Sequence, residues 1–206
     1  MEHFDRRQHW EKIYQTKQTE EASWYQPLPE TSLNFFEKHG ISPTSKIIDV
    51  GGGDSLLVDH LLDRGHRDIT LLDISAHALD KAKKRLGDRA AHVKWVVADA
   101  SDFQPDELYD CWHDRAAFHF LTQPHEVEKY VKAAAAGIRP GGLLVLGTFS
   151  VNGPMKCSGL DIRQYSEAEM MALFAGHFVK TGCLHVDHKT PSGVLQNFIF
   201  CGFMKC

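Results

Sequence analysis

Nowhere in the 206-residue chain is there a run approaching the roughly twenty apolar residues that a membrane-spanning helix requires. The opening ten residues, MEHFDRRQHW, hold no apolar stretch of the kind a secretory signal carries, so no such signal is expected. Basic residues are not in excess. There are 23 Lys and Arg against 27 Asp and Glu, for a formal net charge of −4. No basic stripe is visible, which argues against a nucleic-acid partner. The five cysteines, Cys111, Cys157, Cys183, Cys201 and Cys206, are odd in number and form no CxxC spacing. Neither a disulfide framework nor a zinc knuckle is expected from them. Reduced thiols and a cytoplasmic location are the plain expectation. Internal repeats and low-complexity tracts are also missing.

The balance of what is present, 43% apolar and 24% charged, is that of an ordinary globular domain. At this length one domain over residues 1–206 is expected. Its first 40 residues are polar and aromatic and read as one or two helices ahead of the core. Short apolar runs then alternate with helical patterns. Strands are expected at Lys46–Val50, Ile69–Asp73, Val93–Ala98, Tyr109–His113 and Leu143–Phe149, and helices at Ser55–Arg64, Ser75–Leu86, Glu126–Ile138 and Ser166–Phe174. Ser75 suits an N-cap, Gly87 a helix end, and Ser166 with Glu169 a capping box. Two β-rich runs, Phe178–Asp187 and Val194–Met204, close the chain. Alternating β and α with a terminal hairpin implies a doubly wound, mostly parallel α/β sheet. In such sheets ligands sit outside the carboxyl ends of the strands.

Those strand ends carry the chemistry. After strand one comes Asp49-Val50-Gly51-Gly52-Gly53-Asp54-Ser55, directly before a helix. Three glycines let backbone approach a ligand closely, and the helix start offers free N–H groups. Asp73 follows strand two, where a carboxylate can accept both hydroxyls of a ribose. Asp99 follows strand three and can accept from an exocyclic amine such as that of adenine. Nicotinamide dinucleotides and S-adenosylmethionine both fit a ribose-plus-adenine site. The dinucleotide fingerprint G-x-G-x-x-G fails here, because its third glycine position is Leu56.

The motifs D-V-G-G-G-D-S, D-I-S after strand two, A-D-A after strand three and Ile138-Arg139-Pro140-Gly141-Gly142 before strand five occur in this order. Together with Asp110–Leu121 they resemble class I S-adenosylmethionine-dependent methyltransferases over about residues 45–150. That resemblance implies a Rossmann-like, seven-stranded sheet whose last strand inserts antiparallel. Residues 45–150 would form the cofactor-binding core, residues 1–40 a helical lid, and residues 151–206 a substrate wall with the hairpin. It also implies the cofactor S-adenosylmethionine and the product S-adenosylhomocysteine. Asp49 would hold the loop near the methionine amino group, with Gly51, Gly52 and Gly53 lining the methionine and ribose. Asp73 would bind ribose hydroxyls, Ile74 pack on adenine, Asp99 accept its amine, and the Ala100 N–H meet the ring. The carbonyl of His113 or Asp114 would meet the methionine end. Ser55 stands where the family commonly has another glycine.

A sulfonium methyl is already activated, so the protein must align an acceptor, exclude water and leave the nucleophile unprotonated. His113, Asp114, Arg115 and His119, after strand four, are the candidate acceptor contacts. A histidine there can take a proton near neutral pH and Arg115 can clamp a carboxylate. A structural Asp114–Arg115 pair with His119 packed on the sheet fits equally well. Cys157, Arg163 and Tyr165 are candidates in the wall. Trp24 and Tyr25 are placed to close over a cationic cofactor, although simple packing on the sheet serves too. His185 and His188 would point to opposite faces of a strand, so no metal site is expected. The leading expectation is a small-molecule methyltransferase. The alternative is protein lysine methylation, because Trp10-Glu11-x-x-Tyr14 is similar to the W-(D/E)-x-x-Y opening of lysine methyltransferases that act on translation factors. Asp114-Arg115-Ala116 departs from the D-K-G step of that group. A non-enzymatic adenosyl-ligand protein is the third possibility.

Overall fold

The computed structural model describes residues 4–206, so the first three residues of the expected N-terminal segment lie outside it. Strands β1 (Ile47–Val50) and β2 (Ile69–Asp73) are short apolar runs, buried at every position. Such runs arise when a parallel sheet is covered on both faces. Strands β3 (Val93–Val97), β4 (Tyr109–Arg115) and β5 (Ile138–Phe149) extend the sheet. Two strands of a small ribbon follow, β6 (Lys156–Cys157) and β7 (Leu160–Asp161). The long strands β8 (Phe178–Lys189) and β9 (Leu195–Lys205) end the sequence of elements. The main sheet has seven strands in the order β3-β2-β1-β4-β5-β9-β8; β9 pairs antiparallel with both β5 and β8, and the other pairs are parallel. The doubly wound fold read from the sequence is therefore the observed one.

Helices α1 (Arg6–Thr16), α2 (Glu30–Lys38), α3 (Leu57–Asp63) and α4 (Ala76–Leu86) precede α5 (Pro124–Gly137) and α6 (Glu167–Phe174). Side chains alternate along the strands and feed two cores. On one face Leu33, Phe36, Leu61 and Leu79 pack over Ile47, Cys111 and Val145. On the other, Tyr130, Phe174 and Met170 pack over Ile48, Trp112 and Leu144. Ser75 caps α4 as expected, Gly87 ends it with φ +57°, and Ser166 with Glu169 closes the capping box of α6.

Two expectations need correction. Arg139-Pro140-Gly141-Gly142 is not a turn ahead of the fifth strand but an irregularity inside it. The pairing with β4 jumps from Tyr109–Ile138 to Cys111–Leu143, with Gly141 at φ +77°. The cysteines are also not all free. Cys183 and Cys201 face one another across β8 and β9, with Cα atoms 4.1 Å apart, and form a disulfide. Both lie nine residues from Ser192 in the connecting turn, so hairpin register was the signal that spacing within CxxC could not supply. This pair removes the thiol argument for a cytoplasmic location. No helix among the described residues is long and apolar enough to cross a membrane.

The N-terminal helix is fastened to the sheet by ends of other elements rather than by an apolar face alone. The Glu11 carboxylate accepts from the N–H groups of Ala76 and His77 at 2.7 and 3.2 Å, and from Ser75 Oγ at 3.0 Å. It thereby satisfies donors that the first turn of α4 leaves open, where the helix dipole also favours an anion. Loss of such a cap costs about 1 kcal/mol. Glu11→Ala is expected to speed amide exchange across Arg6–Thr16 roughly fivefold, with α5 and β5 unchanged. Exchange identical to wild type in α1 would refute the fastening role.

Candidate functional site

A cleft opens above the carboxyl ends of β1, β2 and β4. Its floor is the glycine loop. Gly51 and Gly53 take φ of +68° and +51°, values that ordinary side chains resist. At Gly52 the limit is space: a Cβ there would collide with Leu71 and with the Asp49 carboxylate. Ser55, at the loop's end, lines the cleft, and its Oγ accepts from the Leu57 N–H at 3.2 Å. A hydroxyl therefore occupies the position where the resemblance implied another glycine, and it helps start α3.

Three carboxylates surround this loop. Asp49 is buried, and one of its oxygens accepts from His113 Nδ1 at 2.7 Å, whose Nε2 pairs with Ser32 Oγ at 2.8 Å. The other oxygen, Oδ2, is buried without a partner. Asp73 accepts from the Ser75 N–H at 2.8 Å. Burial pushes its pKa up to about 7, the neighbouring carboxylates Asp54 and Asp49 add to that, and the Ser75 and Gly53 N–H groups oppose it. Asp99 accepts from the Ser101 N–H and Oγ and from Arg6 Nη1, and Arg6 also reaches Glu126. Ile74, Ala98 and Ala100 complete the wall on that side.

An aromatic roof closes the opposite side. Trp10 and Tyr14, one turn apart on α1, meet Trp24 with ring centroids 5.9 and 5.6 Å apart. Phe120 lies 5.0 Å from Trp10. The Tyr14 hydroxyl rests directly over Gly53. Burial, then the Asp73 charge, holds that hydroxyl well above the ordinary tyrosine range. Tyr25 and Cys157 also line the cleft. Burial pushes the Cys157 thiol up as well.

The residues expected after strand four separate into different roles. His113 lines the cleft with both ring nitrogens hydrogen-bonded, Nδ1 to Asp49 and Nε2 to Ser32, so its ring orients Asp49. Asp114 does not reach the cleft. Its carboxylate accepts from the Ala117 and Phe118 N–H groups and from the Tyr130 hydroxyl at 2.7 Å. Burial lifts it to about 6. It caps the turn after β4, and no Asp114–Arg115 ion pair forms. His119 is fully buried, stacks on Phe149 at 4.5 Å and accepts weakly from the Phe149 N–H at 3.4 Å. Burial holds it down to about 3, so it stays neutral and serves packing. Of the four, only Arg115 presents an uncommitted polar group to the cleft. Nη1 donates to the Trp24 carbonyl at 2.8 Å, while Nε and Nη2 have no partner. Arg163 and Tyr165 pair with one another away from the cleft, 4.8 Å from guanidinium to ring. Sequence reasoning missed Arg6, Ser32 and Asp54. Asp54 stood in the glycine motif, whereas nothing local marks Arg6 or Ser32.

Residues 47–142 match the family profile described as "Methyltransferase domain". Over that stretch, somewhat under half of the chain, the sequence is similar to methyltransferase domains. A mouse protein named "eEF1A lysine and N-terminal methyltransferase" is 27% identical over 187 residues, covering 89% of this chain and 25% of its own length. The chain thus spans about a quarter of that relative. Among solved structures, a SAM-dependent methyltransferase from Anabaena variabilis superposes with a TM-score of 0.76 at 15% identity, covering 99% of this chain and 96% of that one. A Burkholderia thailandensis 1,6-didemethyltoxoflavin-N1-methyltransferase gives 0.74 at 20% identity, over 97% and 86%. At these identities the likeness shows the fold alone.

The raised Asp73 and Asp114 carboxyls make stability depend on pH. Each holds its proton more tightly folded than unfolded, where an aspartate titrates near 3.9. Their contribution is complete below about pH 4 and is lost as pH rises through about 6 to 7. Asp73→Asn is expected to match wild type near pH 4 and to melt higher at pH 8, since an amide stays neutral. A thermal-melting profile against pH checks this, and parallel curves for the two proteins would contradict it.

Proposed function

We propose that the chain binds S-adenosylmethionine in this cleft and transfers its methyl group to a small-molecule acceptor. The observation that carries the reading is the set of Asp49, Asp73 and Asp99 at successive strand ends around one glycine floor. The residues fit the cofactor on their own chemistry. The orphaned Asp49 Oδ2 is a buried acceptor that an ammonium would satisfy. Asp73, held near neutrality by burial, gains from hydroxyl donors such as those of a ribose. Ile74, Ala98 and Ala100 give an apolar wall for an adenine, with Asp99 at its edge. At Gly51, Gly52 and Gly53 a Cβ would collide with Ala117, with Leu71 and Asp49, and with Tyr14, so the loop's course beneath the cleft requires glycine.

When bound, the cofactor supplies a methyl on a sulfonium whose sulfur keeps the bonding pair as the acceptor's lone pair takes the carbon. The chain's own work is then placement and exclusion. His113 and Ser32 fix Asp49, Trp10, Tyr14 and Trp24 keep water out, and aromatic faces favour the positive sulfur. No side chain needs to form a covalent bond. With His113 engaged and His119 outside the cleft, proximity and orientation carry the rate.

Protein lysine methylation is the second reading. The likeness to the mouse relative across most of this chain favours it. So does the Trp10-Glu11-x-x-Tyr14 motif, which builds the roof and the clamp on α4. A small acceptor is preferred because the roofed end holds the Arg115 guanidinium, which repels a protonated amine.

Titration calorimetry with S-adenosylhomocysteine tests cofactor binding, and labelled S-adenosylmethionine offered to a metabolite pool and a proteome separates the acceptors. Heat on binding and label in small molecules are expected, and label on lysine would reverse the preference. Asp73→Ala is expected to weaken the product's affinity by ~1–3 kcal/mol. An unchanged affinity would remove Asp73 from the ribose site.

A further inference from the structure

Arg115 is the last residue of β4 and pairs with Gly147 of β5, one step beyond the end of β1, whose final partner is Asp114. Its guanidinium stacks over Phe198 of β9, 5.2 Å from the ring centre. It therefore leans away from the glycine loop, across β5 and toward the hairpin. Of the cleft's carboxylates, Asp54, Asp73 and Asp99 lie at the glycine loop and at the ends of β2 and β3, while Asp49, whose strand partner His113 lies two residues before Arg115, is near enough to raise the pKa of the guanidinium without pairing with it. The second cation of the cleft, Arg6, is matched by Asp99 and Glu126. Arg115 forms no ion pair with any described residue. Its polar surroundings are the Trp24 carbonyl, Cys157, the Asp49 carboxylate farther off, and the histidines His119 and His188, and His188 Nε2 is itself bound to the Ser23 carbonyl.

The two unpartnered donors, Nε and Nη2, lie along one edge of the guanidinium plane. That edge delivers two parallel N–H groups, the geometry that receives both oxygens of a carboxylate. A buried cation of this shape with no anion hydrogen-bonded to it is costly. Burial lowers its pKa only to about 10, so the charge is present at neutral pH. Hydrogen bonds from a guanidinium draw electron density from an oxyanion, so a group held there is an anchor and a different atom of the acceptor attacks the methyl.

From this arrangement we infer that Arg115 is the receptor for a carboxylate carried by the methyl acceptor, and so selects acidic small molecules. The inference rests on the methyltransferase reading and narrows its substrate class. A carboxylate also exists in the cofactor's methionine part, and the test must separate the two sources.

The full chain is first saturated with S-adenosylhomocysteine, and failure to bind it would defeat the methyltransferase reading itself. Acetate and benzoate are then titrated against acetamide and benzamide, with methyl phosphate as a tetrahedral anion, by quenching of tryptophan emission. The carboxylates are expected to bind at least tenfold tighter than their amides and than methyl phosphate. Arg115→Met is expected to erase that preference while the S-adenosylhomocysteine affinity stays within twofold. Arg115→Lys, which keeps the charge and loses the paired donors, should retain only part of it. Equal binding of acids and amides, preference for methyl phosphate, or full preference in Arg115→Lys would overturn the inference. So would a tenfold loss of S-adenosylhomocysteine affinity in Arg115→Met, since that assigns the guanidinium to the cofactor's own carboxylate.

Discussion

A buried carboxylate must be held by donors or give up its charge, and Asp49 is the place where that requirement organises this molecule. It is the last residue but one of β1, directly beneath the glycine loop. One oxygen takes the His113 proton from β4, and His113 in turn reaches Ser32 on α2. Three elements distant in sequence are thereby fixed to one side chain. Leu71 and the same carboxylate leave no room for a side chain at Gly52, so the loop's course above them is set by packing as well as by glycine's freedom. The second oxygen is left without a partner. A site built this way keeps part of its binding capacity in reserve, and it gives up stability to do so.

The N-terminal helix answers a different constraint. Its four outward contacts fall on successive turns. Arg6 reaches Asp99 and Glu126, Trp10 and Tyr14 enter the cleft, and Glu11 caps α4. Spacing of three and four residues puts these side chains on adjacent stripes of one helix face. The motif that drew attention as a family signature is thus a mechanical device. Its aromatics shade the cleft while its acid ties the helix down.

Much of the fold was legible because parallel strands buried on both faces read as unbroken apolar runs, as in IIDV and ITLLD. The glycine loop and the acids after β1, β2 and β3 were legible for a related reason, since strand ends define where a ligand can sit. The region after β4 was harder to read. His113, Asp114 and His119 look alike as polar residues in a line, yet one orients a carboxylate, one caps a turn and one stacks on Phe149. Their partners come from α2, from the following turn and from β5, and no local pattern contains those contacts. Arg6 is likewise separated from its partner Asp99 by 93 positions, a span that holds β1, β2 and β3. The Cys183–Cys201 bond belongs between these cases, being readable from the symmetry of the hairpin about Ser192 though not from cysteine spacing.

The antiparallel insertion of β9 has a consequence for how the chain comes together. Strand β8 is made before β9, yet in the finished sheet it touches only β9. Until residues 195–205 have emerged from the ribosome, β5 keeps an open edge and β8 has nothing to pair with. For that interval the nascent protein exposes two long unsatisfied borders, one of them beside the apolar run Leu143–Leu146. Protection from unwanted association during synthesis therefore waits on the strand that arrives after all its neighbours.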